Sequence, residues 1–242
     1  MEKFIKPIVI IISIIAILAI VSLLMLKYDV EGEQNMPFNL SRIMVISSAE
    51  GISKQDEENL WNMDIVQNND IYLEIVKNEK YKKKEIIESI ELNNYIIEEN
   101  PLKGTLQLYK PSSNEENKLY NISEGNEVTE IIYTGSESTN IGNLEIANQG
   151  GRIQFRYVNK DLGKYISNDQ GEIKHDGTIL KKININFEEL KAKVSFDITI
   201  KLSSGNKYKA NIKLEFPTGN LVNDGTSTFE KTNMNDIIFK RI

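Results

Sequence analysis

VSFDITIKLSSGNKYKANIKLEF, residues Val194–Phe216, decides the fold class. Val194, Phe196, Ile198, Ile200 and Leu202 alternate with Ser195, Asp197, Thr199 and Lys201. After SSGNK, the residues Tyr208, Ala210, Ile212, Leu214 and Phe216 alternate with Lys209, Asn211, Lys213 and Glu215. A period of two sends alternate side chains to opposite faces of a strand. Two such runs flanking a Gly-containing loop predict a β-hairpin with one apolar and one wet face, as antiparallel sheets have. With Ser203–Lys207 as the loop, Leu202 faces Tyr208. The pairs Ile200–Ala210, Ile198–Ile212, Phe196–Leu214 and Val194–Phe216 then follow.

Strand signals continue upstream. FNLSRIMVISS is rich in β-branched residues and predicts a first strand. Ser53 to Asn62 reads as a short helix, with Ser53 followed by Asp56 as its cap pattern and Trp61 facing the core. Ile65-Val66 and Ile71–Val76 flank Gln67-Asn-Asn-Asp70, which reads as a hairpin turn. Further strands are expected over Ile86–Ile97, Thr105–Tyr109, Glu127–Tyr133, Leu144–Ala147 and Arg152–Val158. Residues 177–190 predict a short helix and a turn, with Asn186 and Glu189 placed to form a cap. The polar stretch 111–118 is the candidate seam if there are two domains. The expected fold class is mainly β: an antiparallel, sandwich-like domain over residues 39–242 with a few short helices.

The N-terminus differs in kind. IVIIISIIAILAIVSLLML, Ile8–Leu26, carries no charge, and its polar residues are Ser13 and Ser22. About 19 residues at about 1.5 Å each reach roughly 28 Å, enough for the hydrocarbon core of a bilayer. Signal peptides have apolar regions of about 7–15 residues and small residues at the cleavage site. Leu23, Leu24, Met25 and Leu26 do not fit such a site, and no cysteine follows for lipid attachment. The run predicts a retained transmembrane signal anchor. Residues 1–7 would be a cytoplasmic tail, 27–38 a juxtamembrane linker and 39–242 an extracytoplasmic domain. Lys3 and Lys6 favour a tail that stays inside. The run also resembles the N-terminal helix of type IV pilins. That family has a glycine before the processed end and a glutamate five residues into the mature chain, and neither stands near Phe4.

Composition excludes several function classes. The formal net charge is −6, and Lys3, Lys6 and Lys27 outnumber Glu2 at the N-terminus, so the remainder is more acidic still. An acidic domain is repelled by phosphate polymers, which argues against nucleic-acid binding and against a close approach to an anionic membrane. There are no cysteines, hence no disulfides, thiolate chemistry or cysteine-ligated metal. An exported domain without disulfides suits a bacterium. The Asn121-Ile-Ser123 sequon then carries no weight.

No catalytic motif stands out. His175, the single histidine, lies in a turn-like HDG, and no G-x-S-x-G, Walker loop or G-x-G-x-x-G occurs. Ser204-Gly-Asn-Lys207 matches the S-x-x-K of penicillin-binding proteins, but it falls in the hairpin loop and lacks a K-T-G partner. Glu98-Glu99 and Glu188-Glu189 would supply catalytic carboxylates only if the fold brought others close. Glu172–Gly177 comes nearest to a calcium loop but puts Lys174 at a ligand position. No catalytic residue, cofactor or metal ligand is expected. Lys80, Lys82, Lys83 and Lys84 form the one basic cluster. Glu79 and Glu85 dilute it, and it reads as a solvated loop. Asn148-Gln-Gly-Gly-Arg152 reads as a tight turn. Asn148, Gln149 and Arg152 are the candidate binding residues.

MPFNLSRIMVISSAEG, NQGGRIQFRY, LKAKVSFDITIKLSSG and the final IIFKRI, with the single anchor, resemble an uncharacterised family of membrane-anchored proteins from spore-forming Gram-positive anaerobes. The resemblance spans most of the chain, implies an envelope-facing domain and transfers no residue role. The expected function is a non-catalytic binding or scaffolding protein of the bacterial cell envelope. It would be held in the bilayer through residues 8–26 and have an envelope protein or wall polymer as partner. The alternative is a wall-active hydrolase or transferase using carboxylates that the sequence does not reveal.

Overall fold

The computed structural model describes residues 11–24, 36–54, 61–111, 128–138, 144–167 and 176–242. Residues 11–24 form a helix, α1, whose residues are all exposed. At about 1.5 Å per residue it is about 21 Å long. No helix among the described residues is long and apolar enough to cross a membrane. The remainder of the expected span, residues 8–10 and 25–26, lies outside the described residues, as do the tail and residues 27–35 of the linker.

The domain is mainly β. Its strands are β1 Phe38–Lys54, β2 Trp61–Lys77, β3 Ile87–Glu99, β4 Thr105–Tyr109, β5 Glu130–Gly135, β6 Glu145–Ile146, β7 Gly150–Ser167, β8 Lys193–Leu202, β9 Lys207–Glu215, β10 Thr226–Lys231 and β11 Lys240–Arg241. One sheet has the order β10-β1-β2-β7-β4 and the other β11-β9-β8-β3-β5-β6. Among these strands only β5 and β6 pair in parallel. Strands on either side of 111–118 pair within both sheets, β4 with β7 and β3 with β5 and β8, so no seam divides the sheets there. Two short helices, α2 Thr178–Lys182 and α3 Leu221–Asp224, and the 3-10 turn Phe187–Leu190 complete the described domain.

The apolar faces of the two sheets share one buried cluster. Ile43, Val45, Ile71, Leu73, Ile153 and Phe155 come from the first sheet, and Ile90, Leu92, Val194, Phe196, Ile198 and Ile212 from the second. Phe155 meets Phe196 edge-to-face with ring centroids 5.0 Å apart. The Tyr133 hydroxyl, on β5, donates to the Gln154 carbonyl of β7 and accepts from its N–H, which ties one sheet to the other. This arrangement fits the expected sandwich.

The two sheets differ in reach. Strands β1 and β2 have 17 residues each and β7 has 18, whereas β8 has 10 and β9 has 9. A strand rises roughly 3.3 Å per residue, so the long strands run about 55 Å and the short ones about 30 Å. The far part of the first sheet therefore projects past the second. There α2, α3 and the 3-10 turn supply the cover: Ala49, Met63, Ile65 and Leu162 of the sheet join Ile179, Leu180, Leu190 and Leu221 in a separate buried cluster.

Several local expectations are corrected. Gln67–Asp70 is not a turn but the middle of β2, which runs unbroken from Trp61 to Lys77. These polar residues remain in a strand because they bond to one another and to their neighbours. Asn69 Oδ1 accepts from Ser47 Oγ at 2.6 Å and from Gln67 Nε2 at 3.0 Å. Asn159 Nδ2 donates to Gln67 Oε1 at 3.3 Å. Asp70 holds Arg156 through two bonds of 2.7 and 2.8 Å on the opposite face. Ser47, Gln67, Asn69 and Asn159 are fully buried, and they form a polar seam between the two larger apolar clusters. The helix expected over Ser53–Asn62 is also absent at its ends, where Ser53-Lys54 and Trp61-Asn62 are strand; residues 55–60 lie outside the described residues.

The hairpin forms with the expected faces but a register two residues away. Ile200 pairs with Tyr208, Ile198 with Ala210, Phe196 with Ile212 and Val194 with Leu214. The cause is a tighter loop. Leu202 N–H donates to the Asn206 carbonyl at 2.9 Å and Gly205 N–H to the Leu202 carbonyl at 2.8 Å, with Gly205 at φ +86°. That is a three-residue loop ending in a left-handed glycine. A slip of two keeps every side chain on its face, so the alternation alone does not distinguish the two registers. The outer face of β8 is also drier than expected: Ser195 and Thr199 are buried. The cap at Asn186 and Glu189 forms as expected, each side chain taking the other's backbone N–H.

Candidate binding clefts

Several segments gather at one pole of the domain. The chain comes in at Met36–Phe38, and Phe38 pairs with Lys77 at the end of β2. Asn78 closes this corner: its Nδ2 donates to the Met36 carbonyl at 2.8 Å and its N–H to the Pro37 carbonyl at 2.8 Å. The β2–β3 connection then passes beside the β8–β9 hairpin turn, where Ser203 N–H donates to the Ile86 carbonyl at 3.1 Å. β11 closes the group along the edge of β9, with Arg241 opposite Tyr208.

Between these segments lies a cleft of about 470 Å³ lined by Lys80, Tyr81, Lys82, Lys83, Asn206, Tyr208 and Arg241. Its volume falls within the roughly 300–1,000 Å³ usual for ligand sites. Four of its lining side chains are cationic and none is a carboxylate. Glu79 and Glu85, which dilute the lysines in sequence, do not line it. Lys80, Lys82 and Lys83 are exposed, and no carboxylate among the described residues forms an ion pair with them. Two side-chain amides fix the frame. Asn78 Oδ1 accepts from Lys80 N–H at 3.0 Å, which turns the lysine segment, and Asn206 Oδ1 accepts from Arg241 Nη2 at 2.5 Å, which aims the guanidinium. Lysines act as point charges and arginine as a planar fork, so this lining suits a phosphate or carboxylate.

A second cleft of similar volume, also at this pole, is lined by Met36, Asn39, Leu40, Thr232, Met234, Asn235, Ile237, Ile238 and Phe239. It too lacks a carboxylate.

The three residues singled out in the sequence line neither of these clefts. Asn148 is buried and acts as a brace: its Oδ1 accepts from Ser136 Oγ at 3.1 Å and Glu137 N–H at 2.9 Å, and its carbonyl accepts from Ile87 N–H at 3.0 Å. Gln149 extends along the surface to the Glu85 carbonyl at 3.5 Å. Arg152 is exposed on the outer face of the first sheet, opposite Glu74. The turn expected here is present. Gly150 sits at φ +108°, and a Cβ would come within 2.4 Å of the Ile75 carbonyl oxygen. The lysine cluster is an exposed loop, as it reads from sequence, and Lys80, Lys82 and Lys83 of it also line the cleft. The missing signal was Arg241 and Tyr208, far away in sequence and brought alongside by β11.

The other motifs resolve into structure. Ser204 Oγ accepts from Asn206 Nδ2 at 3.2 Å inside the hairpin turn, not from Lys207. Glu98 pairs with Lys213 and Glu99 with Lys193, both at 2.7 Å. Glu188 pairs with Lys191 at 2.8 Å, and Glu189 is the capping residue. Asp176 bonds the Thr178 N–H. His175, residues 172–174 and the Asn121 sequon lie outside the described residues. On the outer face of the second sheet, Asp197 accepts from Asn94 Nδ2 at 2.7 Å, Asn211 Nδ2 at 2.9 Å and Lys209 Nζ at 2.9 Å. Burial pushes its carboxyl up, and these bonds outweigh that, so it sits below the ordinary aspartate value. Inside the sandwich, burial pushes the Tyr133 hydroxyl up to about 12, against the bond to Gln154, and raises Tyr95 and Tyr157 as well.

No protein-family model, curated protein or solved structure matches this chain.

Proposed function

We propose that the protein is a membrane-anchored, extracytoplasmic binding or scaffolding protein of a bacterial cell envelope that works by contact and not by turnover. The lining of the lysine–arginine cleft supports this reading. Lysine and arginine are protonated at neutral pH and hold anions well, but they do not exchange protons there as a general acid–base pair must. A wall-active hydrolase would need converging carboxylates, and Glu98, Glu99, Glu188 and Glu189 instead serve ion pairs and a cap. The anchor is part of the same proposal, as is the resemblance to membrane proteins of spore formers. Large apolar side chains around the whole of α1 are 45–66% exposed. A helix apolar all round needs an apolar surround, and a bilayer provides one.

In-cell photocrosslinking from cleft positions Lys82 and Asn206 is expected to capture an envelope component. The purified protein should leave wall polymer chemically unchanged. Release of wall fragments that stops on substitution of a single carboxylate, in a variant that still folds, would sink the reading.

A further inference from the structure

The lysine–arginine cleft opens at the pole where the chain enters the domain. Asn78 bonds the carbonyls of Met36 and Pro37, and its side chain also receives the N–H of Lys80, two residues on. Lys80, Lys82, Lys83 and Arg241 thus stand beside the point where the tether attaches. From Leu26 to Met36 the chain spans at most about 35 Å even when fully extended.

We propose that this pole docks on the anionic headgroups of the same membrane that holds the anchor, with a lipid phosphate seated in the cleft; this rests on reading residues 8–26 as an anchor. The overall negative charge argued against such an approach, but charge acts locally, because the screening length is about 8–10 Å at physiological salt. The segments that meet at this pole carry Lys77, Lys80, Lys82, Lys83, Lys207 and Arg241 against Glu79, Glu85 and Asp236. A lysine or arginine held near an anionic lipid surface gains about 1 kcal/mol, and the attraction falls off within a screening length. Exposed Val76 and Ile238 at the same pole add apolar side chains of the kind that settle at an interface. Docking would stand the long strands off the bilayer and present the α2–α3 end outward.

The absence of native cysteine permits a direct test with the full-length chain. A fluorophore is placed at Ser204→Cys, in the hairpin turn beside the cleft, or at Leu102→Cys, beyond the opposite end of β3. The chain is assembled into nanodiscs of phosphatidylcholine, with or without phosphatidylglycerol, each containing a headgroup-linked quencher. The Ser204 site should be quenched only in the phosphatidylglycerol discs, and the Leu102 site in neither. Replacing Lys80, Lys82 and Lys83 by Gln should weaken the docked state by about fivefold per lysine, with an unchanged thermal midpoint as the folding control. Quenching that is equal in both discs, or insensitive to the lysines, overturns the proposal. Tight binding of inorganic polyphosphate with Ser204 left unquenched also overturns it, in favour of a soluble polyanion. Failure of the chain to enter either disc removes the anchor reading alone; co-flotation with phosphatidylglycerol vesicles but not phosphatidylcholine vesicles then still supports the docking face, and no co-flotation ends it.

Discussion

The two larger apolar clusters of this domain are built differently. Between the sheets, long side chains from two rigid layers interlock, and Phe155 and Phe196 meet at their centre. Beyond the edge of the second sheet, the same β1, β2 and β7 are covered by one-turn helices and a 3-10 turn. The first cluster is closed by cross-strand bonding on both sides. The second is closed by pieces too short to be stable alone. The polar seam of Ser47, Gln67, Asn69 and Asn159 lies at the boundary. Two such regions on one sheet should differ in how far damage spreads.

The largest effect belongs to the sheet–sheet cluster. Phe196→Ala should cost about 3–5 kcal/mol, because neither layer can collapse into the void, whereas Leu180→Ala should fall near about 2 kcal/mol, because α2 can shift. Denaturant midpoints give both values. Hydrogen exchange sharpens the contrast: Leu180→Ala should release the amides around α2 and α3 while β8 and β9 stay protected. Equal losses with global exchange in both variants would make the clusters one cooperative unit.

Next comes the seam itself. Asn69→Ala removes the acceptor shared by Ser47 and Gln67. It should cost about 1–3 kcal/mol, since two buried donors lose their partner. No loss would mean that the seam is hydrated and the boundary soft.

A smaller effect separates the inner faces from the outer. The Asp197 carboxyl has a lowered pKa in the folded protein. Its contribution is therefore present above the unfolded value of about 4 and fades as the pH falls through the folded value. The difference in melting temperature between the wild type and Asp197→Asn should be largest near neutrality and shrink in acid. A difference that is constant with pH would exclude the charge as the cause. Smallest of all is the effect at Lys213, a solvent-facing partner of Glu98. Lys213→Ala is expected to change stability by no more than about 0.5 kcal/mol in the same denaturation assay.

Legibility followed the same divide. Where neighbouring chemistry is uniform, as along Val194–Phe216, the alternation predicted the apolar face, while burial of Ser195 and Thr199 on the other face went unread and the tighter loop at Gly205 shifted the register. Gln67–Asp70 was misread because four polar residues in a row resemble a turn when their partners, Ser47, Asn159 and Arg156, are distant in sequence. The capping pair Asn186–Glu189 was legible because it is local. The cleft was half legible: its lysines are close in sequence and Asn206 and Tyr208 belong to the hairpin, but the packing of that hairpin turn on the β2–β3 connection and the pairing that adds Arg241 are encoded by no local pattern.

The way Met36–Phe38 is held also has a mechanical meaning. The chain joins the domain at the first residue of β1, which is hydrogen-bonded to β2 from Phe38 to Lys54 and to β10 from Ile43 to Ser48. A pull applied at Met36 along the axis of that strand would load its bonds together in shear, because they lie across the direction of the pull. The Asn78 clasp would take the tension first. Such a load would be shared along the β1–β2 pairing instead of opening it one bond at a time.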